Sequence, residues 1–195
     1  MNPQSNYFKE IISKLERLVK REYLFSAFLG AQYSFIVGVS TLTIFSLFEM
    51  IWHFHSIVRT VLFFLFLVIF GSIFVYFFLL KILNYFHLFR KTDYFNTANK
   101  AGKHFPDIKD DLVNAMQIVS EKNEGKIYSQ DLIDASFQNI YNKTRTIKFE
   151  SIIDFSIAKK RLIYVVFTLL VSSALFIMIP NLREASFRII NFTFE

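Results

Sequence analysis

The residues best suited to chemistry lie in "HFPDIKDDLVNAMQ", His104 to Gln117, the most polar part of an apolar chain. An imidazole (His104) and three carboxylates (Asp107, Asp110 and Asp111) follow one another there. Such groups bind a hard cation or exchange protons when ligands from elsewhere converge on them, and His104 or Asp131 would have to supply the convergence. The same residues also read as the start of a helix. Asp107 then takes the N-cap, with Pro106 just outside and Ile108 as the first helical residue. Asp110 falls at N3, the capping-box position, and the three acids face the positive end of the helix dipole, each worth about 0.3–1 kcal/mol. Ile108, Leu112, Ala115, Met116 and Val119 form the apolar stripe behind them. That reading employs every residue, so Asp107 and Asp110 are expected as helix caps and not as a site.

A second cluster, Glu49 with His53 and His55 beside Trp52, has ligand-type residues at i, i+2. It is expected to be a solvated loop at headgroup level, with Trp52 in the interfacial aromatic belt. The chain has no Cys, which removes disulfides, thiol catalysis and cysteine metal centres. It has no Gly-rich phosphate loop, no H-E-x-x-H, no G-x-S-x-G and no kinase signature. The net charge of +6 is scattered among acids, which does not make a nucleic-acid face. The expectation is a protein that is not an enzyme, with no catalytic, cofactor-binding or metal-binding residues, no cofactor, no nucleic-acid partner and no small-molecule substrate.

The elements around these clusters are dominated by three uncharged apolar runs, Leu24–Phe48, Val61–Leu80 and Leu162–Ile179. Each is close to the roughly 20 residues that cross about 30 Å of hydrocarbon, and backbone in lipid must satisfy its own hydrogen bonds, so each is expected to be a transmembrane helix. The second run is apolar all round, which a surface helix of a soluble protein is not. The predicted fold class is an all-α integral membrane protein. An amphipathic N-terminal helix (1–23) leads into the first span (24–48), and a short outer loop (49–60) joins it to the second (61–80). A helical insert (81–161) precedes the third span (162–179), and residues 180–195 begin an extracytoplasmic region. Lys9, Lys14, Arg17, Lys20 and Arg21 precede the first span and Lys and Arg abound in 81–161, whereas the loop between spans one and two has only Arg59. The positive-inside rule therefore places the N-terminus and the insert in the cytoplasm and the C-terminus outside.

Ser26, Gly30, Ser34 and Gly38 recur every four residues and stack on one face of the first span, the small-xxx-small pattern that lets helices approach closely in lipid. Packing against spans two and three is preferred over dimerisation as its use, and Gln32 adds an interhelical hydrogen-bond donor. In the N-terminal helix Phe8, Ile11, Ile12, Leu15, Leu18 and Val19 form the apolar stripe, which lies on the inner leaflet or docks on the insert. The insert should hold three helices. Thr92 caps one whose stripe is Phe95, Ala98, Gly102 and Phe105, the second is that of Asp107, and Ser129 caps a third with Ile133, Phe137, Ile140 and Tyr141. "EKNEGK" (121–126) is the polar loop between the last two. "SFRIINFTFE" alternates like a strand at Phe187, Ile189, Phe192 and Phe194, and a lone strand needs partners, so an outer domain cut short at Glu195 is expected.

The order of these parts, with "HFPDIKDDLVNAMQI", "SQDLIDASFQNI" and "IPNLREASFRIINFTFE", resembles the N-terminal part of a bacterial envelope-protein family, domain of unknown function 4175. Val113 stands where that pattern has a second Leu, a conservative departure. The resemblance covers essentially the whole chain and implies a three-span anchor in the bacterial inner membrane with an extracytoplasmic C-terminal region. It implies no catalytic residues. The function expected is a membrane-anchoring scaffold, with the lipid bilayer and protein partners, a second copy among them, as its contacts. The alternatives are a subunit of a transporter or channel assembly and a transmembrane signal transducer. The first usually carries ionisable groups or broken helices at mid-membrane, and the spans here offer only Gln32, hydroxyls and glycines.

Overall fold

The computed structural model describes residues 6–86, 93–123 and 130–191, and every regular element among them is a helix. In chain order these are α1 (Asn6–Trp52), α2 (Ser56–Tyr85, with a π-helical turn at Val75–Leu79) and α3 (Tyr94–His104). α4 (Lys109–Asn123), α5 (Gln130–Thr144), α6 (Ser156–Met178) and α7 (Pro180–Ile190) follow. Short 3₁₀ turns at Pro106–Ile108 and Phe149–Ile152 lead into α4 and away from α5. Three of the helices, α1, α2 and α6, are long and apolar enough to cross a membrane. The helices form two compact units, one of residues 1–24 and 84–154, the other of residues 25–83 and 155–195.

In the first unit the amphipathic stripe of α1 finds its partner. Ile11, Leu15 and Leu18 are buried with Ala98 and Ala101 of α3, Leu112, Ala115 and Met116 of α4, and Ile133, Phe137 and Ile140 of α5. Of the two uses expected for that stripe, the structure shows docking on the insert. Phe8 meets Phe137 edge-on at 4.9 Å, and polar bonds rim the core. The Tyr94 hydroxyl donates to Glu16 at 2.8 Å, Arg17 pairs with Glu150 at 2.8 Å and Lys100 with Glu22 at 2.7 Å. Asp93 caps α3 by accepting the Asn96 N–H at 3.0 Å, one residue past the expected cap; Thr92 and Ser129 lie outside the described residues. The stripe expected on α3 is met at Ala98 and Gly102, with Phe105 packed against the core, and departs at Phe95. Phe95 is exposed, and the buried positions are Thr97, Ala98, Ala101 and Gly102. A Cβ at Gly102 would lie 3.0 Å from Lys109 Cα, so glycine there permits the close approach of α3 to the start of α4.

Lys14 is buried in this unit, and its Nζ donates to the Thr144 carbonyl. Burial lowers its pKa from the ordinary 10.5; the charges of Glu10 and Glu150 oppose that and Arg17 adds to it.

In the second unit α1 runs antiparallel to α2 and parallel to α6. Gly30 lies on Phe77 and Gly38 on Phe70, while Gln32 bonds to Ala158 and Thr43 to Ser172. At about 3.6 residues per turn these two sets fall on opposite faces of α1, so α1 is the middle helix. A Cβ at Gly30 would sit 2.0 Å from the Phe77 carbonyl oxygen, in the π-helical turn of α2. A Cβ at Gly38 would meet the Phe70 ring at 2.7 Å, and that ring belongs to a ladder of stacked rings with Phe66 and Phe74. The small-residue face thus packs against a helix of the same chain. Ser34 Oγ, buried on it, donates to the Gly30 carbonyl at 2.8 Å.

α6 stops at Ile179 because Pro180 holds the residue before it in extended backbone and then starts α7 from its first position. The strand expected at 186–195 is corrected here, because its described part is helix through Ile190. Leu182, Ala185 and Ile189 are buried at helical spacing, and Phe187, which suggested the alternation, is exposed. The helical period binds more apolar area to α2 and α6 than a lone strand could, so it wins. Phe192 and Phe194 lie outside the described residues.

Two predictions follow from these contacts. Gly30→Ala should destabilise the chain by about 1–3 kcal/mol, because a backbone carbonyl blocks the methyl group. Gly71→Ala, with open space around it, should change stability by less than about 1 kcal/mol and in the favourable direction. Thermal unfolding in detergent, followed by circular dichroism, compares the two, and equal losses would be inconsistent with the packing described. For Lys14, the unfolded chain holds the proton more tightly than the folded one. Its contribution to stability should therefore rise as pH climbs through the window from the lowered folded value to 10.5. Unfolding midpoints across that window should show the wild type gaining on Lys14→Met, and a constant gap would contradict it.

Candidate functional site

α1 ends at Trp52, and His53 follows at φ 44°, in the left-handed region. Its N–H returns to the Glu49 carbonyl at 2.9 Å, which closes the helix with one residue past the cap in the left-handed conformation. The chain then turns within three residues, and His55 opens α2 as its N-cap in extended backbone. This tight reversal brings the Phe54 N–H and the first turn of α2 over the Glu49 side chain.

Glu49 has no solvent exposure. Its Oε1 accepts from Arg59 Nε at 3.0 Å and from Arg188 Nε at 3.1 Å, and its Oε2 accepts the Phe54 N–H at 3.1 Å. Arg59 comes from α2 and Arg188 from α7, so one carboxylate ties α1, the loop after it, α2 and α7 together. Arg188 is aimed inward because α7 buries Leu182, Ala185 and Ile189, and Arg188 adjoins that face. Glu184, one turn earlier, lies 4.0 Å from the Arg188 guanidinium and offsets part of the repulsion between the two arginines. A buried carboxylate is costly unless it is paired and its remaining lone pairs are used; here both oxygens are bonded.

Chemically, this arrangement is suited to holding helices together. Three bonds engage both oxygens of the Glu49 carboxylate, which is closed to solvent, whereas the side chains of His53 and His55 are exposed. Among the described residues no group of three or more His, Asp or Glu comes together in a way that could hold a metal ion.

The cluster at 104–111 takes a different form from the one expected. The 3₁₀ turn begins at Pro106, with Phe105 before it in the cap position. Asp107 is therefore inside the first turn and is not the N-cap; this corrects the expectation, and the reason is that Pro106 occupies N1, where its missing N–H costs nothing. Asp110 and Asp111 lie in the first turn of α4, favourable to its dipole. Asp110 is exposed, and the capping-box pair expected of it falls away with the Asp107 cap. Asp111 pairs with Lys143 of α5, and His104 is exposed beside Phe105. Ile108, Leu112, Ala115 and Met116 form the stripe, buried in the core of the first unit.

Ser26 is half-buried, and Gly30, Ser34 and Gly38 are buried, two of them against α2 as described. Gln32 donates through Nε2 to the Ala158 carbonyl at 3.0 Å. The residue that sequence reasoning missed is Arg188. The available signal was its place three residues from both Ala185 and Asn191 on a helix-spaced segment, opposite a lone acid at the end of an apolar run.

No family model, curated protein or solved structure matches the chain.

Glu49→Gln leaves Arg59 without its partner and Arg188 with only Glu184, and should cost about 3–5 kcal/mol, the usual loss when one member of a buried ion pair is removed. Arg188→Gln leaves Arg59 still paired and should cost less. Unfolding in detergent orders the two variants, and a neutral Glu49→Gln would contradict the clamp.

Proposed function

We propose that the chain is a membrane-anchoring scaffold of a bacterial inner membrane. α1, α2 and α6 cross the bilayer, the unit of residues 1–24 and 84–154 is a cytoplasmic helical interaction module, and α7 lies at the outer surface. The observation that carries the reading is the Glu49 clamp, which spends the one acid at the end of an apolar helix on tying helices together. Two hydroxyls of the same helix are likewise used within the protein. Thr43 and Ser46 back-bond to Val39 and Leu42, and Thr43 also meets Ser172. Placement in lipid is supported by the apolar surface that α2 and α6 leave exposed, including Phe64, Leu65, Phe167 and Leu170. Direction across the bilayer is supported by Lys159, Lys160 and Arg161 at the start of α6 and the basic residues before Leu24. A scaffold of this kind acts through protein partners and the bilayer.

Alkaline phosphatase fused after Asn191 should be active and fused after Asn123 inactive; the reverse would overturn the orientation. Crosslinked pull-down of the full chain from membranes should recover envelope proteins without a dominant pump or ATPase. A transport ATPase as the main partner would replace the scaffold with a transporter subunit.

A further inference from the structure

The face between α1 and α6 carries two adjoining grooves in the second unit. One, of about 450 Å³, is lined by Leu29, Gln32, Tyr33, Ile36, Arg161 and Tyr164, among others. The other, of about 330 Å³, continues along the same helix pair past Val39, Ile44, Val171 and Leu175. Phe167 and Thr168 line both. From Arg161 to Leu175 the pair runs about 21 Å at about 1.5 Å per residue. That exceeds one leaflet, about half of the roughly 30 Å of hydrocarbon in a bilayer.

The two ends of this track differ in chemistry. The far end is mostly apolar, and the hydroxyls of Thr43 and Ser172 there are already bonded to one another, with Thr43 also on the Val39 carbonyl. Thr168, shared by the grooves, donates to the Tyr164 carbonyl. At the near end Gln32 is 7% exposed, and its Oε1 accepts no hydrogen bond among the described residues. Its orientation is not interchangeable, because only the amide nitrogen can donate to the Ala158 carbonyl. An acceptor buried without a donor is costly, and here the side chain that bears it lines a groove that the exposed Arg161 also lines. Ala158, Lys159, Lys160 and Arg161 are consecutive, so the bond to Ala158 sets Gln32 at the level of the basic flank. That is where headgroups lie if α6 crosses the bilayer.

We propose that this track binds one anionic glycerophospholipid of the inner leaflet whose headgroup carries hydroxyl groups. An acyl chain lies along α1 and α6, the phosphate meets Arg161, and a headgroup hydroxyl donates to Gln32 Oε1. The proposal rests on the membrane placement argued above. A cationic headgroup would face Arg161, with Lys159 and Lys160 adding positive charge nearby in the same turn, which selects against an amine in favour of a hydroxyl.

The test uses the full chain extracted in mild detergent and exposed to phosphatidylglycerol or phosphatidylcholine of matched chains, with retained lipid read by native mass spectrometry. The wild type should retain one phosphatidylglycerol in preference to phosphatidylcholine. Gln32→Leu and Arg161→Gln should each lower retention by about tenfold, the effect of losing one charge-assisted or buried hydrogen bond. Arg161 is exposed, so its variant tests the site even if Gln32→Leu fails to fold. Equal retention of the two lipids, or unchanged retention in Arg161→Gln, would overturn the proposal. Carbonate washing of the source membranes separates the two levels. A chain that stays in the membrane but shows no lipid preference refutes only the lipid site, and a chain released by carbonate refutes the membrane placement and the site with it.

Discussion

Glu49 is cut off from solvent at the end of a long apolar helix, and a carboxylate there persists only if the fold supplies its countercharges and donors. The rest of the second unit is arranged around that requirement. α1 must end within a turn of Glu49 so that the Phe54 N–H can return to it, and His53 accepts a left-handed backbone to allow this. α2 must begin at once, to bring Arg59. α6 must break at Pro180 so that α7 can fold back and deliver Arg188. One side chain fixes the loop after α1, the first turn of α2 and, 139 positions away, α7, and removing it leaves the two arginines facing one another.

The same rule, that polar groups among apolar helices must be satisfied within the protein, governs the length of α1. Its α2 face is stripped to Gly30 and Gly38, which lets the backbone touch Phe77 and the ring of Phe70. Its α6 face carries Gln32 and Thr43, which bond across to Ala158 and Ser172. A close, small-residue contact on one side and hydrogen bonds on the other are the two devices by which helices associate when water supplies no driving force. Gln32 Oε1 is the exception, and the groove beside it gives that exception a use.

Much of this was legible from residue types. The three apolar runs were marked by length and by the absence of charge, and the small-residue stripe by its four-residue step. The stripe Ile11, Leu15 and Leu18 announced a buried face but could not name its partner, because lipid and a helix of the insert bury it equally well. The strand read at Phe187 and Ile189 failed because a short segment satisfies both periods at once; what decided it was the surface of α2 and α6 waiting for Leu182, Ala185 and Ile189. Asp107 was misplaced by two positions because a proline fits both outside a helix and at its first position. The clamp was invisible for a different reason. Glu49 and Arg188 are 139 positions apart, and only the chain reversals at His53 and Pro180 bring them together.

The central claim is that Glu49 and Arg188 act on one another. A double-mutant cycle of Glu49→Gln and Arg188→Gln, read from unfolding free energies in detergent, measures that directly. The two losses should be strongly non-additive, with the double variant recovering about 1–3 kcal/mol relative to the sum of the single ones. Losses that simply add would show that the two residues stabilise the chain independently, and the clamp would not exist.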